Sequence, residues 1–347
     1  IREQILRCCE HQFPEGDVQH WWHEKGKEKF HGVRTRISDD LLWIPYTLGR
    51  YLETWNDWNI LTEQVNYLSG ERLQDEEKER YFAPNPSAER GDVYTHALQA
   101  IRCVIKRGVG EHGLLKMGTG DWNDGMNEVG AKGRGESVWL TWFAVCTLEV
   151  FLPVAAHRGD EETVKLCKAW MERLRTAAEN AWDGAWYLRG WYDNGKPLGS
   201  HAAEECQIDS IAQSWAVLAG ADRRKSETAL RTALDRLVDR EAGIIKLFTP
   251  AFDNGPERPG YIKAYLPGIR ENGGQYTHAA VWLALACLRL GWTEEGYELL
   301  SMLLPAKHDG MIYRAEPYVL AGDVYANPSH RGRGGWSWYT GAAGWYY

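Results

Sequence analysis

An all-helical fold, a toroid of helical hairpins with its functional loops gathered at one mouth, is what this sequence predicts, and three observations predict it. Apolar residues recur at three- and four-residue intervals through most of the 347 residues. Alternating, strand-like runs are few, and the helical stretches come in pairs separated by long loops rich in Gly, Asn, Asp and Trp. A solenoid of helix pairs fits the same pattern and is the architectural alternative.

The chain opens inside a helical stretch, and further periodic stretches run over 41–55, 93–106, 137–157, 161–178, 208–219, 226–238, 277–290, 293–304 and 317–326. Ser38-Asp39-Asp40, Ser226 and Thr293-Glu294-Glu295 supply cap-type residues at helix starts. The loops at 110–136, 182–207, 249–276 and 328–345 are longer than plain connections, and such loops usually carry function. No linker or low-complexity stretch divides the chain, so residues 1–347 read as one domain.

Bulk properties narrow the function. A formal charge of −8 and a pI near 5.8 provide no basic stripe for a nucleic-acid backbone. No run of about 18 apolar residues predicts a membrane span. The start at Ile1 without Met and the stop in Gly344-Trp-Tyr-Tyr347 read as a fragment of a longer protein. Seven cysteines with no CxxC, several inside apolar helical stretches, predict reduced buried thiols and a reducing, cytoplasmic compartment. Tryptophan is abundant, at 18 residues; it either fills the core or offers flat faces on which sugars stack.

The stretch Gly118-Thr-Gly-Asp-Trp-Asn-Asp-Gly-Met-Asn127 carries the most chemistry. Asp121 and Asp124 bracket Trp122 in a glycine-punctuated loop. A carboxyl packed against an indole is desolvated, which favours its neutral form and suits it to donate a proton. One of the two capping a helix is the plainer alternative; a calcium loop would need more oxygen ligands in regular spacing. Arg34-Thr-Arg-Ile-Ser-Asp-Asp-Leu-Leu-Trp43 places two arginines and two aspartates at a helix start, where they either clamp sugar hydroxyls or form a surface pair. Gly268-Ile-Arg-Glu-Asn-Gly-Gly-Gln-Tyr-Thr-His278 and Arg331-Gly-Arg-Gly-Gly-Trp-Ser-Trp-Tyr-Thr-Gly-Ala-Ala-Gly344 combine glycine backbone with Thr, Arg and His, a setting for a small oxyanion or simply packed turns. No Walker lysine pattern, no strand-then-GxGxxG unit, no HExxH and no GxSxG is present, and the eleven histidines form no metal-ligand pattern, so no metal or nucleotide is expected.

Gly120-Asp-Trp-Asn-Asp-Gly-Met-Asn127 and Gly135-Glu-Ser-Val-Trp-Leu140 resemble the catalytic signature of glycoside hydrolase family 94, a family of inverting β-glucan phosphorylases. Gly16-Asp-Val-Gln-His-Trp-Trp-His23, Arg34–Trp43, Ile208-Asp-Ser-Ile-Ala-Gln-Ser-Trp215, Arg270–His278 and Gly334-Gly-Trp-Ser-Trp-Tyr-Thr-Gly341 are similar to one branch, the β-1,2-oligoglucan phosphorylases and the C-terminal region of cyclic β-1,2-glucan synthases. The resemblance runs nearly end to end. It implies an (α/α)6 barrel, with this chain lacking the family's N-terminal β-sandwich and helical linker. It assigns Asp124 as general acid, Trp122 as a wall of the cleaved sugar's subsite and Asp121 as structural or orienting. Arg36 and Asp40 match holders of the non-reducing-end glucose, with Asp39 a close competitor, and Arg270 and Glu271 join the substrate set. His278, Thr340 and Gly341 match a phosphate site. No cofactor is implied beyond inorganic phosphate as co-substrate. The partners implied are an oligosaccharide, phosphate and either a second copy or a larger multidomain glucan synthase, whose cytoplasmic part this would be.

The expected reaction is cleavage of a β-linked glucan, with Asp124 protonating the leaving oxygen while phosphate attacks the opposite face and gives α-glucose 1-phosphate. An anionic nucleophile removes the need for a catalytic base. Two rivals stand beside this reading: an inverting hydrolase with Glu271 or Glu205 as base, and a non-catalytic glucan-binding module.

Overall fold

The structure, a computed structural model, describes residues 1–24, 26, 29–74, 76–337 and 341–347. After α1 (Arg2–Glu10), the helices α2 (Asp40–Trp55), α3 (Val93–Arg107), α4 (Val138–His157), α5 (Glu161–Asn180), α6 (Ser210–Leu218), α7 (Arg223–Leu237), α8 (Thr277–Leu290) and α9 (Thr293–Met302) follow in antiparallel pairs. Two short helices, α10 (Gly310–Tyr313) and α11 (Ala342–Tyr346), complete the set among the described residues.

Burial sorts the pairs into two layers. Along α4 every residue from Val138 to Leu148 is buried, and α6 is buried from Ser210 to Val217. A helix that is apolar all round must be surrounded by protein or lipid. In α5 and α7 the buried positions fall on one stripe, Thr163, Cys167, Leu174 and Ala178 in α5 and Ala229, Leu230, Ala233 and Leu234 in α7. The inner helices therefore run α2, α4, α6, α8 and α11, each against the next, with α3, α5, α7 and α9 outside. Tyr46 of α2 stacks on Trp345 of α11, ring centroids 6.3 Å apart, so the first and last inner helices touch. By length and composition α4 is apolar enough to cross a bilayer, contrary to the sequence expectation, but 78% of its apolar window is buried inside the protein. It is the central core helix.

The layering places the loops. Connections from inner to outer helix are short at 158–160, 219–222 and 291–292, whereas those from outer to next inner helix are the long loops. Since the inner helices point the same way, the long loops that enter them emerge at their N-terminal ends; the 56–92 connection, which leaves the C-terminal end of α2, is the exception. Three inner helices are entered through two-residue antiparallel ladders that clamp these loops: Glu136–Ser137 with Gly190–Trp191 before α4, Ile208–Asp209 with Phe248–Thr249 before α6, and Gln275–Tyr276 with Asp323–Val324 before α8.

The connections also carry β structure. Strands β1 (Gln19–Trp22), β2 (Gly32–Thr35) and β4 (Glu79–Phe82) form one antiparallel sheet, and β3 (Gln64–Ser69) pairs with β5 (Asn85–Asp92) in another. The helix expected over 317–326 is absent. Asp323–Val324 is instead drawn into the ladder with 275–276, and the Thr277 N–H donates to Gly322 O, bonds incompatible with an internal helical ladder. The cap expectations also shift: α7 begins at Arg223 with Asp222 accepting from the Lys225 N–H, Ser226 lies inside the helix, and neither α2 nor α9 has a side-chain cap.

The tryptophans fill the inner ring. Trp139, Trp142, Trp215 and Trp282 are fully buried, and Trp139, Trp215 and Trp282 meet at centroid distances of 5.2–6.1 Å. Core filling, not sugar stacking, accounts for these four.

Candidate active site

The DWND loop is built by glycine and by the segment before α2. Gly118 (φ +65) and Gly120 (φ +125) adopt conformations that side chains disfavour. Between them the chain passes close enough to bridge Ile37 and Gly118, while the Ser38 N–H and hydroxyl both donate to Gly120 O at 3.0 Å. Asp121 then turns inward and Asp124 outward, starting a single 3₁₀ turn, Asp124–Met126.

Asp121 is wholly consumed by the fold. Arg189, itself fully buried, donates Nη2 to Oδ1 at 2.6 Å and Nη1 to Oδ2 at 2.7 Å; Ser137 Oγ donates to Oδ2 at 2.6 Å and the Asn123 N–H to Oδ1 at 3.1 Å. The same guanidinium reaches Asp209 Oδ2 at 3.2 Å. Burial pushes the Asp209 carboxyl up to about 6 against the opposing pull of Arg189. Both Asp121 oxygens are thus engaged by protein donors. Arg189 was missed by sequence reasoning because nothing near position 189 marks it as the partner of a loop so distant in sequence.

Asp124 lies at the mouth with its side chain 41% exposed. His20 Nε2 stands 3.7 Å from Asp124 Oδ2, an ion-pair distance, and His20 Nδ1 is 2.9 Å from Asp40 Oδ1. Burial opposes the charged ring, but the carboxylates of Asp124 and Asp40 outweigh it and push His20 up to about 11, making it an imidazolium at neutral pH. Tyr261 lies within electrostatic reach of Asp124; partial burial and then the Asp124 charge push its hydroxyl up, so it stays protonated. The Trp122 ring packs on Tyr276, His278 and Trp282 at 5.2–5.7 Å. Neither His20 nor Tyr261 was singled out in the sequence, since no local spacing links them to Asp124.

Trp122 Nε1, which can only donate, faces His278 Nδ1 at 3.3 Å. That contact leaves the proton of neutral His278 on Nε2, and burial pushes the ring down to about 4, so it remains neutral. A Cβ added to Gly341 would lie 3.6 Å from His278 Cε1, which sets Gly341 against the ring. Thr340 lies outside the described residues. Asp39 is buried, with Oδ2 accepting from Trp43 Nε1 at 3.0 Å; burial, then the Asp40 charge, pushes its carboxyl well up. Asp40 faces His20 and accepts from Thr35 Oγ1 at 3.3 Å. Arg36 donates to the carbonyls of Glu77 at 2.7 Å and Gln74 at 2.6 Å, so its guanidinium holds the 74–77 segment.

Glu271 is largely buried; burial and then the Asp124 charge push its carboxyl up. Arg270 lies over the Trp336 ring, 4.2 Å to its centroid, and over Tyr265 at 5.1 Å. Glu205 accepts from the N–H groups of Asp253 and Gly255 at 2.7 Å and pairs with Lys263 at 3.5 Å, so it pins the 249–276 loop. That loop is tied back to the DWND loop: Asn127 Oδ1 accepts from the Tyr261 N–H at 3.1 Å, and the Glu128 N–H donates to Pro259 O at 3.0 Å.

Of the twelve buried side-chain polar atoms lacking a hydrogen-bond partner among the described residues, six lie in these segments: Asp39 Oδ1, both amide atoms of Asn123, Glu271 Oε2, His278 Nε2 and Asp323 Oδ2; the others are the indole nitrogens of Trp139, Trp142, Trp215 and Trp282 and the hydroxyls of Ser210 and Ser226. The six in these loops are groups that a hydroxyl- and oxyanion-rich ligand would satisfy, each costing about 1–3 kcal/mol if left unpaired. No group of three or more potential metal ligands occurs among the described residues.

The helices thus form hairpins around a core ring, with the long loops and a polar-lined mouth at one end. Consistent with this, the GH63 mannosylglycerate hydrolase from Thermus thermophilus superposes with a TM-score of 0.61 at 12% identity, over 97% of this chain and 84% of that one, a likeness of fold alone. The chain belongs to the glycosyl hydrolase 94 superfamily, whose catalytic-domain model matches residues 1–347. It is 47% identical over 353 residues to the cyclic beta-(1,2)-glucan synthase NdvB of Rhizobium meliloti (strain 1021), covering 100% of this chain and 12% of that protein. It is 29% identical to solabiose phosphorylase of Paenibacillus borealis, over 99% of this chain and 42% of the other. A 1,2-beta-oligoglucan phosphorylase of Listeria innocua is 25% identical over 159 residues, 45% of this chain and 13% of that one. The chain thus spans less than half the length of these relatives.

Proposed function

We propose that this domain catalyses inverting phosphorolysis of a β-linked glucan, a β-1,2-gluco-oligosaccharide, giving α-glucose 1-phosphate and a shortened glucan. The domain is read as a single (α/α)6 barrel spanning 1–347. The observation that carries the reading is the mouth itself: one half-exposed carboxyl, Asp124, faces outward, and the carboxylates a hydrolase would need as base are otherwise engaged. Glu271 is buried in a setting that favours its protonated form, and Glu205 is spent on backbone N–H groups and Lys263. Family membership and the printed activities of the phosphorylase relatives support the same reaction.

In this mechanism Asp124 gives its proton to the leaving glycosidic oxygen while a phosphate oxygen forms the new bond at the anomeric carbon from the opposite face. The proton remaining on the transferred phosphate returns to Asp124 through solvent. The arriving oxyanion places a second negative charge near Asp124, which favours the protonated form that must donate. The Nε2–H of neutral His278, beside Gly341 and next to the uncapped start of α8, would supply phosphate with donors, and the family resemblance adds Thr340 to them. Asp39 and Asp40, Trp122, Arg270 and Glu271 would line the sugar subsites, with Arg36 holding the rim. No cofactor is needed beyond phosphate.

The domain would act as one segment of a larger multidomain glucan synthase or as a homodimer, on the cytoplasmic side. The length of the synthase relative supports the first, and the free state of all seven cysteines supports a reducing compartment. Incubation with β-1,2-gluco-oligosaccharides and with cellobiose, with and without phosphate, tests the activity by glucose 1-phosphate release. Asp124→Asn should lose about 10²- to 10⁴-fold in turnover while still binding oligosaccharide. Free glucose released independently of phosphate would point to the hydrolase, and binding without any release to the non-catalytic module.

A further inference from the structure

We propose that His20, held by Asp40, is a positioning residue that aims a charged N–H at the Asp124 carboxylate as Asp124 gives up its proton. The inference rests on the general-acid reading above and adds the group that acts on that acid.

The geometry begins in β1. The register against β2 shifts between Gln19 and Trp21, so a bulge falls at His20. Bulges re-aim a side chain out of the strand's normal alternation. Trp21 stays in register opposite Val33, with its ring 47% exposed, while His20 turns in toward the mouth. Asp40 holds Nδ1 with both oxygens, at 2.9 and 3.2 Å, and is itself steadied by Thr35 Oγ1. Nδ1 is thereby fixed as a donor, and Nε2 points at Asp124 Oδ2, 3.7 Å away. A separation slightly too long for a hydrogen bond suits a contact that shortens when the charge on the carboxylate is complete, because catalytic hydrogen bonds often tighten only along the reaction.

The surrounding charges are acidic. The start of α2 contributes Asp39 and Asp40, the DWND loop contributes Asp124, and the 249–276 loop contributes Tyr261 and Glu271, both of which interact with Asp124 through its charge. An imidazolium between two of these carboxylates lowers the cost of leaving Asp124 ionised. The proton balance is simple. The leaving oxygen takes the Asp124 proton, the imidazolium keeps both of its own, and the phosphate hydroxyl proton later restores Asp124 through solvent.

The test uses the full-length protein with His20→Gln and Asp40→Asn. With His20→Gln, kcat for phosphorolysis should fall about ten- to a hundredfold, while KM for glucan and phosphate stays within about threefold. The alkaline limb of its pH–rate profile should move to higher pH, since the carboxyl has lost a neighbouring cation, and Asp40→Asn should act in the same direction more weakly. A wild-type kcat, a loss carried by KM, or an equal loss at every pH with no movement of the limb overturns the proposal. A readout independent of turnover is ¹⁵N NMR of the His20 ring. It should remain charged at pH 8, and Asp124→Asn should lower its titration midpoint by more than about one unit. A midpoint near the ordinary histidine value of about 6.5 overturns the proposal even if phosphorolysis is confirmed. Absence of glucose 1-phosphate from the wild-type protein would instead sink the functional reading and leave the NMR result to decide the ion pair.

Discussion

Replacing Arg189 by Met tests how the catalytic loop is held. Methionine fills much of the same apolar volume but leaves Asp121 and Asp209, both buried, without their shared cation. Removing one partner of a buried ion pair costs about 3–5 kcal/mol, because the remaining charge is neither solvated nor paired. Against a typical domain stability of about 5–15 kcal/mol, that is a large fraction. The pH dependence adds a sharper mark. Without Arg189, burial holds the folded-state carboxyls above their unfolded value, so stability is fully present below the unfolded pKa and is lost as pH rises through the folded one. The gap between variant and wild type should therefore narrow as pH falls from about 8 to about 5. Urea denaturation at several pH values measures it, and adding Asp121→Asn to Arg189→Met should recover part of the loss. A cost below about 1 kcal/mol, or a gap that does not change with pH, would refute the reasoning. Turnover should fall as well, since Asp121 Oδ1 also accepts from the Asn123 N–H and so sets the turn that aims Asp124.

Two further outcomes follow from other parts of the fold. His96 is fully buried between Gln12 Oε1, at 2.7 Å, and Val65 O, at 3.1 Å, and burial pushes it down to about 4. Because its folded pKa lies below the unfolded value, its contribution is present above about pH 6.5 and is lost as pH falls through 4, the loss reaching about 3 kcal/mol at pH 4; His96→Gln should flatten the acid limb of a thermal-melt series over that window. Gly260 (φ +133) is pressed against the DWND loop, where an added Cβ would lie 2.6 Å from Gly125 O and would also meet the Asn127 side chain. Gly260→Ala should displace Tyr261 and lower kcat more than it lowers the melting temperature, and an unchanged kcat would show that the two loops are not mechanically tied.

The sequence by itself determined the helical hairpins, because the 3.6-residue apolar period records which face of each helix is buried. It also marked the DWND turn, whose glycines answer a local backbone demand at Gly118 and Gly120. It overreached at 317–326, where apolar spacing looked helical but a ladder to Gln275–Tyr276 took the backbone hydrogen bonds. It also said nothing of the β3–β5 pairing. The tertiary structure alone decided which way the two aspartates face and what they meet. Asp121 goes inward to Arg189, and Asp124 goes outward to His20 and Tyr261. The reason is physical: periodicity specifies that a face is buried, while the partner of a charged group is fixed only when distant loops are brought together at the N-terminal ends of the inner helices.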